Sequence, residues 1–445
     1  MQVKSLRYPK IALINTKNDD FFGYKLVLDQ EKIPYTIEDS IKEEYDLVIL
    51  PTNHMLTIKK VLTYLNKGGN IISSYNNLDK DQIITSNVHT FVPIGKGVLY
   101  YFGFNFGEEV VKTKPYSNSV PRNINSQLLT HVSGLKYIDN SKKGYRLNFK
   151  NVVYKLIGPI TQIWYWPGPY NSCFCQRVDM DFPLLQFYKK KKIIKNIIKF
   201  VKDYTNINFT LFLNHSFPSQ NNQLKSLLND HFNIEFQSHG CNSQIRHRDY
   251  CYSLNSLRDD EIFEMILGTV SSRHYTLFAP PCEQVNRYVL ECCEQFGINI
   301  TAGGISKDDL PRKCYMGREY NIFNIPTSTR EFIFNEGYPL QYYSNEFREC
   351  IKTNSLFCIY FHPCLLLNKK AKKLISDFLC GIVEEKKKGK LWTPFMGELA
   401  EWWAMRDKAL IQNGELVFKD KKAEDFLKNK LSIIRWQPDK IQKLN

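Results

Sequence analysis

The stretch Arg177-Val178-Asp179-Met180-Asp181-Phe182-Pro183 decides how the second half of this 445-residue chain is read. It closes a β-type run, and residues two apart on a strand share a face, so Arg177, Asp179 and Asp181 fall on one side. Two like charges held that close are unfavourable unless a cation, a proton or a division of labour separates their roles. The pair is therefore a candidate metal ligand plus general base. A solvated strand-to-loop turn carrying two acids fits the same residues, and both readings stand at this point.

Outward from the pair, strand-like runs recur at 206–213, 232–237, 275–279, 298–301, 321–325 and 356–361. Helices fit between them, such as Glu283 to Phe296 with Val285, Val289, Cys292 and Phe296 on one side. Roughly six or seven strand-helix units predict a β/α barrel, whose chemistry sits at the C-terminal strand ends. The expected groups follow those runs: Ser238-His239-Gly240, Ala279-Pro280-Pro281 and His362-Pro363. His247 lies eight residues after His239, in Ile245-Arg246-His247-Arg248-Asp249, and reads either as a ligand or as part of a polar loop.

The first third alternates strands with helices: strands at 10–15, 33–37, 45–50 and 70–75, helices at 21–30 and 58–66, and a closing strand within Gly95 to Phe104. Short buried strands alternating with helices imply a parallel sheet covered on both faces. Residues from about 110 to 160 are polar and mixed, with a Ser117 to Ser126 patch suited to a linker. In the tail, Asn413-Gly414 between Leu410 and Phe418 predicts a two-residue β-hairpin, and a last helix near 423–431 is expected to pack on the barrel. Two main domains follow from the length: 1–110, a connecting segment 111–160, the barrel 161–406, and a hairpin-and-helix tail 407–445.

The net charge of +15 comes from 60 Lys and Arg against 45 Asp and Glu, which favours anionic partners without choosing among them. The run Lys189-Lys190-Lys191-Lys192 leads into Ile193, Ile194, Ile197, Ile198 and Val201 at helical spacing, and reads as a solvated helix face. No recognisable nucleic-acid-binding module is present. All 12 Cys lie between Cys173 and Cys380 without a Cys-x-x-Cys, so reduced thiols in a cytoplasmic protein are expected and a structural zinc site is not. Residues 1–9 carry no apolar signal segment, and no stretch of eighteen apolar residues suggests a membrane span.

The helix-Gly-Gly-strand passage at Tyr64 to Ser73 resembles the flavodoxin-like domain of class I glutamine amidotransferases. Amidotransfer in that family needs a nucleophilic Cys, and residues 1–172 contain none, so a thiol mechanism is excluded for this domain. From about 160 to 405 the chain resembles the NodB-type polysaccharide deacetylases, metal-dependent carbohydrate esterases with a distorted β/α barrel. The resemblance includes the lead-in Trp164-Tyr165-Trp166 and the closing stretch Gly397 to Arg406 with Trp402-Trp403. It implies a general base at Asp179, metal ligation by Asp181 and His239, and a general acid at His362. The metal it implies is divalent, Zn or else Co, Ni or Mn. The substrate it implies is an N-acetylated sugar whose acetamido C–N bond is hydrolysed, and a nucleotide- or lipid-linked or otherwise anionic sugar is consistent with the missing export signal.

The chain departs from that family twice. Ser243 stands where a second ligating His belongs, and a neutral hydroxyl is a poor Zn²⁺ ligand beside imidazole. Ala279 stands where an Arg usually precedes Pro280-Pro281 and orients the base, a role Arg177 can take from the same strand face as Asp179. The departures keep a second reading open, a catalytically inactive barrel that binds a carbohydrate or a partner protein.

Overall fold

The computed structural model describes residues 8–54, 56–74, 90–102, 104–112, 145–180, 190–214, 218–228, 231, 233–240, 259–272, 277–280, 285–305, 310–328, 340–412, 414–438 and 440–444. The chain divides into two compact units, one made of residues 1–114, 141–168 and 405–445, the other of 115–140 and 169–404.

In the first unit, β1 (Ile11–Ile14), β2 (Thr36–Glu38), β3 (Leu47–Leu50), β4 (Asn70–Ser73), β5 (Thr90–Ile94) and β6 (Gly97–Tyr101) form one sheet in the order β2-β1-β3-β4-β6-β5. All neighbours run parallel except the β5–β6 hairpin. β1 and β3 are buried at every position, as strands covered on both faces must be. The Gly68-Gly69 turn has a steric cause. Gly68 adopts φ +98°, and a Cβ on Gly69 would lie 2.2 Å from the Tyr64 ring.

Of the connecting segment 111–160, residues 113–144, the Ser117 to Ser126 patch among them, lie outside the described residues, and the part that follows holds the helix Tyr145–Ile157 and leads into the strand β7 (Ile160–Ile163). The helix buries Phe149, Val152 and Val153 together with Arg146 and Lys150. Two cations on the inner face disguise its amphipathic pattern. They are buried because Glu31, fully buried on the helix Asp19–Glu31, meets both: Arg146 Nη1 at 2.5 Å and Lys150 Nζ at 3.0 Å. The Tyr165 hydroxyl donates to Glu31 Oε2 at 2.5 Å. Burial alone would raise the Glu31 carboxyl; the two cations outweigh it and bring it down to about 2. The Trp-rich lead-in is core here, with Trp164, Tyr165 and Trp166 all buried. Arg406, which ends the closing stretch, donates to the carbonyls of Trp164 (2.9 Å), Ile163 (2.8 Å) and Gln30 (3.1 Å), a structural role.

The second unit holds β8 (Ser172–Met180), β9 (Phe209–Leu213), β10 (Ile234–Ser238), β11 (Leu277–Phe278), β12 (Ile300–Ile305), β13 (Arg312–Tyr315), β14 (Glu319–Thr327), β15 (Leu356–Phe361) and β16 (Leu391–Trp392). Their order is β13-β14-β12-β11-β10-β9-β8-β15, with β16 also on β8, and every pairing is parallel except the β13–β14 hairpin. Ser328, just past β14, closes the ring without a ladder. Its N–H donates to the Cys358 carbonyl at 2.7 Å, and its hydroxyl accepts from the Cys358 N–H at 2.9 Å. The result is the distorted barrel the strand-helix rhythm predicts, with one antiparallel hairpin that rhythm does not show.

Alternation sorts the barrel strands. Phe174, Val178, Leu211, Leu213, Phe357, Ile359 and Phe361 pack outward against helices in one apolar cluster. The intervening residues face inward. The helix Lys190–Asp203 buries Ile193, Ile194, Ile197, Phe200 and Val201, and Lys191, Lys192, Lys195, Lys199 and Lys202 are exposed, as the sequence pattern predicts. Among the described residues, no helix is long and apolar enough to cross a membrane, and the Cys residues are free thiols.

The tail pairs as a hairpin, β17 (Ala409–Gln412) with β18 (Glu415–Phe418), and Gly414 takes φ +87° in its turn. Asn413 lies outside the described residues. The last helix spans Lys421–Leu427. Residues 405–445 group with the first unit, where β19 (Ile433–Gln437) pairs with β7 and with β20 (Lys440–Leu444). The apolar faces of the tail are therefore completed by β7, a strand the sequence pattern leaves unread.

Candidate active site

Side-chain alternation along β8 turns Cys173, Cys175, Arg177 and Asp179 into the barrel. Parallel pairing puts the C-terminal ends of β15, β8, β9 and β10 side by side on one rim. His362 follows β15, Asp179 lies at the end of β8, Asn214 follows β9 and His239 follows β10. The structure thus brings three of the sequence-predicted groups to one rim.

Asp179 is 2% exposed and forms a two-point ion pair with Arg177. Nε donates to Oδ1 and Nη2 to Oδ2, both at 2.6 Å. The third guanidinium nitrogen, Nη1, donates to the Ala302 carbonyl of β12 at 2.9 Å. The guanidinium lies between the rings of Phe212 and Tyr360, with centroid distances of 5.5 and 5.3 Å. A planar fork matched to a carboxylate and held between two rings fixes the position of that carboxylate. Arg177 thus contacts Asp179 from the same strand.

His239 is 2% exposed, and its Nδ1 lies 2.8 Å from the Ala279 carbonyl. A carbonyl only accepts, so Nδ1 carries the proton in the neutral ring and Nε2 does not, which is the tautomer a metal ligand needs. The contribution of the Ala279-Pro280 turn is thus a backbone oxygen, for which the side chain at 279 is immaterial. Pro280 is buried behind it. Asp181, Ser243, His247 and Pro281 lie outside the described residues. Among the described residues, no three His, Cys, Asp or Glu side chains converge as a metal centre would require.

His362 is half-buried at the start of the short 3-10 helix Pro363–Leu367, its ring edge-on to Tyr360 at 6.2 Å. Sequence reading missed Asn214, which is buried on the rim between Asp179 and His239. Its only sequence signal is a polar residue directly after an apolar strand. Phe212 and Tyr360 were also hidden, because an aromatic residue within an apolar run reads as core.

Beneath the rim, Glu235 and Gln237 share the inward face of β10 with His239. Glu235 accepts from Thr210 Oγ1 (3.0 Å), Gln237 Nε2 (3.1 Å) and the Gly397 N–H (3.0 Å), so it caps the start of the helix Met396–Asp407. Burial pushes its carboxyl up, and the three donors offset part of that rise. A Cβ at Gly397 would stand 2.1 Å from Glu235 Oε1. Gly397→Ala is therefore expected to destabilise the barrel by about 1–3 kcal/mol, read as a lower urea midpoint.

No protein-family model matches this chain, and no curated protein matches it. Solved structures do. A protein from Mycobacterium smegmatis described as a polysaccharide deacetylase is 14% identical, covering 53% of this chain and 91% of its own, with a TM-score of 0.44. The allantoinase PuuE is 14% identical over 54% of this chain and 93% of its own, with a TM-score of 0.42. Agd3, a carbohydrate deacetylase, is 10% identical over 90% of this chain and 88% of its own, with a TM-score of 0.41.

Proposed function

We propose that the barrel is a metal-dependent carbohydrate N-deacetylase, hydrolysing the acetamido C–N bond of an N-acetylated sugar. The observation that carries the reading is the Arg177–Asp179 pair, a buried carboxyl group held in one orientation by a two-point contact on the rim it shares with His239 and His362. Asp179 takes the proton of the attacking water, and Arg177 holds the carboxylate in place for it. His362 returns a proton to the leaving amine nitrogen. Asp181 and His239, with His247, Cys241 or water completing the set, would hold a divalent cation, Zn²⁺ or else Co²⁺, Ni²⁺ or Mn²⁺. That cation supplies positive charge to polarise the acetamido carbonyl. Asn214, between the base and the His239 ligand, is placed to orient the sugar.

Ser243 in place of a ligating His favours a second reading, a barrel that binds a carbohydrate without turning it over. Acetate release separates the two. Purified protein with added Zn²⁺ or Co²⁺ is expected to release acetate from N-acetylglucosamine oligomers. Asp179→Asn is expected to lower that rate by at least about 10²-fold, the usual worth of a positioned general base. Glycan binding with no acetate release under any metal would establish the second reading instead. We also read the first unit as flavodoxin-like, on the parallel order β2-β1-β3-β4.

A further inference from the structure

We propose that the lysine face of the helix Lys190–Asp203 docks a polyanionic glycan, so that the acetamido sugar treated on the rim belongs to a carboxylated, sulfated or phosphorylated chain. The inference rests on the hydrolase reading for the acetamido sugar treated on the rim, and on the helix itself for the docking. Lys191, Lys192, Lys195, Lys199 and Lys202 are exposed, and Asp203 is the one acid in the helix. Among the described residues, none of the five lysines forms an ion pair. The helix Lys369–Lys387 of the same unit is also lysine-rich, yet it pairs Lys373 with Asp377 and Lys387 with Glu384.

The unpaired arrangement works against the helix. Lys191, Lys195 and Lys199 follow one another at i, i+4, and Lys192, Lys195, Lys199 and Lys202 at i, i+3 or i, i+4, so like charges repel along the face. Lys191 and Lys192 also sit in the first turn, where the helix dipole disfavours cations. An anion lying along the face relieves both costs. From Lys191 to Lys202 the stripe is about 16 Å long at 1.5 Å per residue, a line rather than a point, which fits a chain better than a single phosphate. The apolar side is committed to the barrel core through Ile193, Ile194, Ile197, Phe200 and Val201, so no greasy face remains for insertion into a bilayer. The helix is the next described element after β8, and in a β/α unit it starts at the strand end that bears Asp179. A glycan along it therefore leads to the rim.

The test compares heparin binding by the wild type, K195E/K199E and the control K59E/K60E, whose exposed lysines lie on the helix Ile58–Asn66 of the first unit. Both pairs change net charge equally, and K195E/K199E makes the 191/195, 192/195 and 199/202 neighbours attractive while 195/199 stays repulsive, so folding is kept. We expect K195E/K199E to bind heparin at least about tenfold more weakly and to lower the log–log salt slope by about two. The control should stay within about twofold of wild type. Equal weakening by both pairs, or no weakening by K195E/K199E, would overturn the stripe as a site. Tighter binding of duplex DNA or of phosphatidylserine vesicles than of heparin through the same lysines would overturn the glycan as its occupant. Acetate release from a neutral N-acetylglucosamine oligomer is measured alongside; its absence with heparin binding intact would remove the hydrolase reading alone.

Discussion

Arg177→Met is expected to cost about 3–5 kcal/mol of stability, because it leaves the Asp179 carboxylate buried without its partner. It should also abolish acetate release. The loss comes from removing one half of a buried pair, not from the net worth of the pair. Arg177→Met with Asp179→Leu removes both charges and fills the space with apolar atoms, so most of the stability should return while activity stays absent. Urea unfolding gives the first quantity and acetate release the second. A single variant as stable as the parent would mean that Asp179 is solvated or protonated, and the base assignment would fall with it. Arg177→Lys keeps the charge but loses the fork and the stacking between Phe212 and Tyr360, and should lie between the two.

The second large effect is in the other unit. Glu31→Ala leaves Arg146 and Lys150 facing each other in the core with no anion between them, and about 3–5 kcal/mol of stability should be lost. The same group sets an acid limit. Its carboxyl is held at about 2 when folded against an ordinary value of 4.5. A lowered folded value means the unfolded chain binds the proton more readily, so the stabilisation is present above about pH 4.5 and disappears as pH falls toward 2. Its size is of order 3 kcal/mol. Thermal unfolding followed from pH 6 to pH 3 should show the wild type losing stability over that range while Glu31→Gln loses much less. Parallel curves for the two proteins would mean that the cluster is not ionised as described.

Much of this molecule is legible in its chain because the strands announce themselves. Leu356–Phe361 coincides with the predicted run, the helix Ile58–Asn66 is found at the predicted residues, and the Asn-Gly hairpin forms where its turn chemistry places it. The failures share a cause. The helix Tyr145–Ile157 is hard to see in the sequence because its buried face carries the cations Arg146 and Lys150, and only Glu31, more than a hundred residues earlier, offsets the cost of burying them. The tail groups with the first unit through β19 and β7, which local patterning does not show, since it marks a face as apolar without showing what covers it. At the site, the spacing of Asp179 from Arg177 was visible as a shared strand face. That Phe212, Tyr360 and the Ala302 carbonyl hold the guanidinium was not, since those residues lie on three other strands.

The sequence by itself determined the strand-helix rhythm and the strand ends at which chemistry-bearing residues stand. These are local properties, set by period, turn chemistry and residue type. Tertiary structure alone decided that Phe212, Tyr360 and the Ala302 carbonyl surround the Arg177 guanidinium, that the Ala279 carbonyl meets His239, and that Ser328 closes the barrel. Each of those depends on a contact between residues far apart in the chain, where burial makes a single hydrogen bond or ion pair decisive and where no one-dimensional pattern records which groups will meet.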